Sequence, residues 1–136
     1  MSATIAQLQQ EHTRLWTLLQ MARCDVVDGA LASARAHLIA LAALQHAHIA
    51  REEHAVLPNL PAQPRWHAAV YLAEHHKLQS LLQELVTRFD DTPAHSRNAT
   101  LQLALLDAMH PFCHVLEHHV EREEKALFIE CLQSVR

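Results

Sequence analysis

At 136 residues, half of them hydrophobic and only one a glycine, the chain suits one all-α domain over residues 1–136 with a substantial core. A net charge of −4 with both signs interspersed leaves no basic stripe and argues against a nucleic-acid partner. Cys24, Cys113 and Cys131 are too few and too widely spaced for a disulfide framework or a thiolate metal site, and the N-terminus lacks a signal-peptide pattern, so the expected compartment is a reducing cytoplasm.

The first predicted helix runs from about Thr4 to about Cys24, with Ser2 or Thr4 as N-cap and Ile5, Leu8, His12, Leu15, Leu19 and Ala22 inward. Gly29, in the sequence Asp25-Val26-Val27-Asp28-Gly29, closes the turn. The second helix runs from about Ala30 to Leu57, with His37, Leu41, Leu44, His48, Glu52 and Ala55 on one face. It contains the longest stretch without a formal charge, Ala36 to Ala50, which is too short to cross a bilayer and carries histidines; no membrane association is expected.

Pro58 to Pro64 stops that helix, and Pro64 suits the first position of a third one that reaches about Phe89. Ala68, Tyr71, His75, Leu78, Leu82, Leu85 and Phe89 face inward there. Asp90-Asp91-Thr92-Pro93 ends it. The fourth helix begins near Ser96 as N-cap, with Leu101, Leu105, Ala108, Phe112, Leu116, His119, Glu123 and Ala126 inward and a bend expected at Pro111.

Two stretches carry chemistry. His119-Val120-Glu121-Arg122-Glu123-Glu124 and its near copy His48-Ile49-Ala50-Arg51-Glu52-Glu53 each place an imidazole and a carboxylate at i, i+4, one above the other on a helical face. A metal ion fits between such groups. A second echo aligns Glu11-His12-Thr13-Arg14-Leu15 on Glu74-His75-His76-Lys77-Leu78. The chain therefore reads as two copies of a helical hairpin, each bringing His, then His with Glu. At ~1.5 Å rise per residue the four motifs lie roughly 12 to 18 Å from helix ends that share one pole of an up-down-up-down bundle. They converge on one layer.

This order of motifs, over nearly the whole chain, resembles the hemerythrin-like family of HHE cation-binding domains. The resemblance implies a four-helix bundle around a non-haem di-iron centre, with two iron ions, a bridging oxo or hydroxo group, and His12, His48, Glu52, His75, His119 and Glu123 as metal ligands. The animal oxygen carriers of that family add a histidine on the third helix, where this chain has Tyr71 and Gln79 four residues either side of His75, and space the fourth-helix pair slightly wider. Tyr71 is then a core aromatic or a hydroxyl that reaches the metal site. The implied function is binding of oxygen or a related diatomic such as nitric oxide, for sensing, storage or detoxification. The alternative is an enzyme acting on peroxide or nitric oxide, or an iron donor for iron–sulfur repair.

Imidazole and carboxylate without thiolate suit iron, and manganese or zinc also fit. Four histidines and two bridging carboxylates supply about eight donor atoms, fewer than octahedral coordination of two ions requires, so open positions remain. A shell of Leu15, Leu44, Leu78, Phe112 and Leu116 makes the surroundings dry and small. Glu53 and Glu124 are solvated or support the ligands. His76 competes with His75 and His118 with His119, although the alignment of halves favours His75 and His119. His110, His114 and His118 form an outer stripe on the fourth helix, roughly 100° to 180° from His119.

Overall fold

The computed structural model describes residues 1–134. Four long helices, α1 (Ser2–Val27), α2 (Leu31–Ala55), α3 (Ala68–Asp90) and α4 (Ala99–Arg122), form an up-down-up-down bundle in which each helix packs on its neighbours in sequence and α1 also packs on α4. A five-residue π turn, Glu123–Leu127, continues α4 into a short α5 (Phe128–Ser134). No strand occurs among the described residues, and no helix is long and apolar enough to cross a membrane.

Helical spacing of apolar residues generates the core. Leu15, Leu19, Ala22, Val26, Leu38, Leu41, Leu78, Leu82, Phe89, Leu105 and Phe112 form one buried cluster toward the α1–α2 turn. Ile5, Leu8, Val56, Leu57, Tyr71, Leu127, Phe128 and Cys131 form a second at the opposite pole. Between the two lies a layer of buried polar side chains. His37 does not belong to the inward face where its spacing placed it. It is half-buried and bonds Asp25 of α1 at 2.6 Å, and Leu38 takes the core position instead.

Helix ends depart from expectation where tertiary contacts override local signals. Helix α1 starts at Ser2 with Met1 at the N-cap, so neither Ser2 nor Thr4 caps it. Pro64 does not open α3, which starts four residues later at Ala68. The Arg65 backbone N–H donates to Glu130 of α5, and Trp66 lies under the Arg122 guanidinium at 4.2 Å, which holds this segment extended across the pole. Ser96 does not cap α4 either: its backbone N–H bonds the Gly29 carbonyl, and Asn98 caps the helix by accepting from Leu101 N at 3.0 Å. Helix α4 continues unbroken through Pro111.

Among the described residues Gly29 is the one with positive φ, +75°, and a Cβ built there would lie 2.3 Å from the Ser96 carbonyl oxygen. Both the left-handed conformation and the close approach of the α3–α4 connection require glycine. Gly29→Ala is expected to cost more than the ~1–2 kcal/mol of the conformation alone, since backbone must also move. A melting temperature lowered by at least about 3 °C checks this, and an unchanged one would show that the loop yields freely.

Candidate metal centre

The polar layer is built from one residue of α1, two of α2, one of α3, one of α4 and the first residue of the π turn. His12, His48, Glu52, His75, His119 and Glu123 are all at most 4% exposed, so the sequence expectation brings every one of them to the same place. They form two groups, His12 and His48 in one, His75 and His119 in the other, with Glu52 and Glu123 belonging to both. Within each group one donor atom per residue lies within 4.8 Å of the rest.

The carboxylates straddle the two imidazole pairs. Glu123 Oε1 is 2.8 Å from His12 Nε2 and 3.9 Å from His48 Nε2, whereas its Oε2 is 2.9 Å from His119 Nε2 and 3.4 Å from His75 Nε2. Glu52 does the same less symmetrically, with Oε1 at 2.9 Å from His75 Nε2 and Oε2 at 3.5 Å from His48 Nε2. Both glutamates are fully buried.

Three further carboxylates fix the rings from behind. His48 Nδ1 is 2.9 Å from Glu11, His119 Nδ1 is 3.0 Å from Glu74, and His75 Nδ1 is 2.7 Å from Glu53. Burial works against the charge on Glu11 and Glu74, yet hydrogen bonds from His48 and Arg51 to the one, and from His119 and Arg122 to the other, hold both carboxyls below the ordinary range. Carboxylates held ionised only accept, so His48 and His119 keep a proton on Nδ1 toward Glu11 and Glu74 and turn Nε2 toward the centre.

Glu11 and Glu74 were not among the residues singled out from the sequence, although the signal was there. They are the matching residues of the two aligned segments, each immediately before a histidine of the layer, and the arginines that hold them, Arg51 and Arg122, also match between the halves. The repeated Arg-Glu-His chain is a twofold motif spread over two helices. Glu53 therefore supports His75 rather than standing free in solvent, while Glu124 stops 3.5 Å from His12 Nδ1, which has no hydrogen-bond partner.

The remaining histidines settle the alternatives. His76 and His118 are exposed, as are His46, His54, His67, His95, His110 and His114. The apolar shell is present, with Leu15, Leu78, Phe112 and Leu116 buried beside the layer and Leu44 packed partly buried against them. Tyr71 is fully buried one turn from His75, and its hydroxyl has no partner. The three cysteines are free thiols.

In the metal-free chain the layer is held together by protons. Burial opposes charge on His48 and His75, but the nearby Glu123 and Glu52 carboxylates outweigh it and raise both imidazoles to about 10; His119 is raised to about 9, burial again opposing, by the charge of Glu123. Burial, reinforced by the negative charge of Glu123, pushes the Glu52 carboxyl up. Burial works the same way on Glu123, but His119 and its hydrogen-bonded neighbours hold its carboxyl well below the ordinary range.

Protons do not complete the layer, because His48 Nε2, His119 Nε2 and Glu52 Oε2 are buried and lack hydrogen-bond partners. Stranded donors and acceptors of this kind each cost ~1–3 kcal/mol, so their convergence calls for an occupant that binds nitrogen and oxygen lone pairs. The two overlapping groups of nitrogen and oxygen donors suit metal cations. Nitrogen and oxygen donors without sulfur fit iron among transition metals.

The family model for the hemerythrin HHE cation-binding domain matches residues 3–131 of the chain. No curated protein and no solved structure matches it.

Proposed function

Since the chain belongs to the hemerythrin HHE cation-binding domain family, we propose that it holds a non-haem di-iron centre and binds oxygen or a related diatomic there, for sensing, storage or detoxification. One ion would be held by His12 and His48 and the other by His75 and His119, with Glu52 and Glu123 shared between the two positions. The carrying observation is that the two oxygens of each bridging carboxylate face opposite imidazole pairs. When bound, a pair of ferrous ions with open coordination positions supplies affinity and electrons for a small ligand such as oxygen or nitric oxide.

The chain's own residues set the conditions. Glu11, Glu53 and Glu74 lock three rings with Nε2 inward and raise their basicity. Arg51 and Arg122 hold two of those carboxylates in turn. The flanking apolar clusters keep bulk water from the layer. The free thiols suit a reducing compartment, the cytoplasm.

Tyr71 contributes a neutral phenol. Burial, with the charges of Glu130 and Glu123 adding to it, pushes its ionisation upward, which disfavours a phenolate ligand and leaves an O–H donor free to bond within the site. Tyr71→Phe is expected to leave stability nearly unchanged, because the deleted hydroxyl has no protein partner, and to alter the rate of autoxidation. Identical autoxidation in both proteins would reduce Tyr71 to a core aromatic.

Metal analysis combined with optical spectra before and after oxygen exposure tests the function. Two irons per chain and a near-ultraviolet ferric absorption that changes with oxygen or nitric oxide are the expected results. A preparation that takes up no iron on reconstitution, or an iron-loaded one whose spectrum ignores both gases, would overturn the reading.

A further inference from the structure

We infer that His114 and His118 form a second, exposed chelate on the outer face of α4 for a single divalent transition cation of the zinc or copper class. The pair sits at i, i+4, the spacing that brings two side chains together one helical turn apart. Their rings already face one another, with centroids 4.5 Å apart and planes inclined by 69°. His110 continues the stripe, but its ring is 6.2 Å from that of His114 and lies more nearly parallel, a stacking contact rather than a converging one.

Three further features favour a cation. Neither His114 nor His118 has a hydrogen-bond partner among the described residues, so no protein contact must be broken to turn a ring nitrogen outward. Both are exposed, and exposed rings change rotamer within nanoseconds, which lets the two nitrogens close on a metal that needs about 2.0–2.1 Å to each. Glu117 is exposed on the same stripe and adds negative charge beside the pair, while Glu121 is paired with Lys125 at 2.8 Å. Two neutral imidazoles with solvent completing the shell select borderline cations over calcium or magnesium. The stripe lies roughly 100° or more around the helix from His119, so this chelate shares no donor with the buried centre.

The neighbourhood supplies a reporter. His118 lines a surface groove of about 170 Å³ together with Trp66, Glu121 and the cationic Arg65, Arg122 and Lys125. The chain has two tryptophans, and Trp16→Phe leaves Trp66 as the sole tryptophan. In that background, Cu²⁺ titrated into the tag-free, iron-loaded protein is expected to quench Trp66 fluorescence to saturation at one equivalent, with only a large excess of Zn²⁺ reversing the quench by competition. His114→Ala and His118→Ala should each weaken Cu²⁺ binding at least about tenfold, as loss of a direct ligand exceeds the usual effect of losing a supporting one. His110→Ala should leave the affinity within about twofold, and iron content should be unchanged in all three. Absence of saturable quenching in the parent, or equal affinity in the parent and in both His114→Ala and His118→Ala, would overturn the assignment.

Discussion

Glu123→Ala is expected to abolish most dinuclear metal binding while leaving the helical content nearly intact. Among the described residues Glu123 is the only side chain in contact with all four central imidazoles, at 2.8 to 3.9 Å, and its two oxygens divide between the pairs. Removing it uncouples the two cation positions and takes away one of the two buried negative charges that compensate them. The fold should survive because the apolar clusters on either side of the layer are separate and each spans several helices. Glu52→Ala should act in the same direction, with a smaller loss at the His12 and His119 positions, since Glu52 contacts only His48 and His75 as an ion-pair partner. Metal per chain by elemental analysis alongside far-ultraviolet circular dichroism decides it: two metals retained in either variant would rule out bridging.

The second large effect is on pH. In the metal-free protein His48 and His75 hold their protons up to about 10 and His119 up to about 9, against an ordinary value of 6.5. A raised folded-state value means that these imidazolium ions stabilise the metal-free fold fully below about 6.5 and cease to do so as pH climbs through about 9 to 10. Metal must displace the same protons, so affinity should still be rising at pH 8, a window well above the fall near pH 6 that free histidine would give. Each proton displaced costs about tenfold in affinity per pH unit, and loading at neutral pH should release protons from these three rings. Titrating metal into weakly buffered protein with a pH indicator measures the release directly. Flat affinity from pH 8 to pH 5 would exclude imidazole ligation.

The parts legible in the sequence are those that a single helix determines. Ile5, Leu8, His12, Leu15, Leu19 and Ala22 recur at helical spacing and are all buried, and the two His-x-x-x-Glu pairs needed only their own helix to stack. What escaped depends on partners elsewhere. Glu11 contacts a histidine 37 residues away, and helical periodicity says nothing about which residue a neighbouring helix will present. Ser96 has the chemistry of a cap but is bound to Gly29, and Pro64 has the chemistry of a helix start but its segment is held extended by Glu130 and Arg122. The π turn was invisible for another reason: Glu123-Glu124-Lys125-Ala126-Leu127 contains no glycine or proline to mark it.

That π turn has a consequence for metal loading. The Phe128 backbone N–H bonds the Glu123 carbonyl five residues back, and this wider turn carries the Phe128 ring over His12, 5.5 Å between centroids. On the matching regular helix, Glu53 reaches the ring nitrogen of His75 at 2.7 Å, whereas on the π turn Glu124 falls short of His12 at 3.5 Å. The duplicated halves are therefore unequal at this one point: the His75–His119 position has both rings anchored by carboxylates, and the His12–His48 position has one ring anchored and the other only packed. Cations filling the two positions would differ in affinity and exchange, and a bundle whose sequence reads as a near-symmetric repeat would then load stepwise and accept mixed-metal pairs.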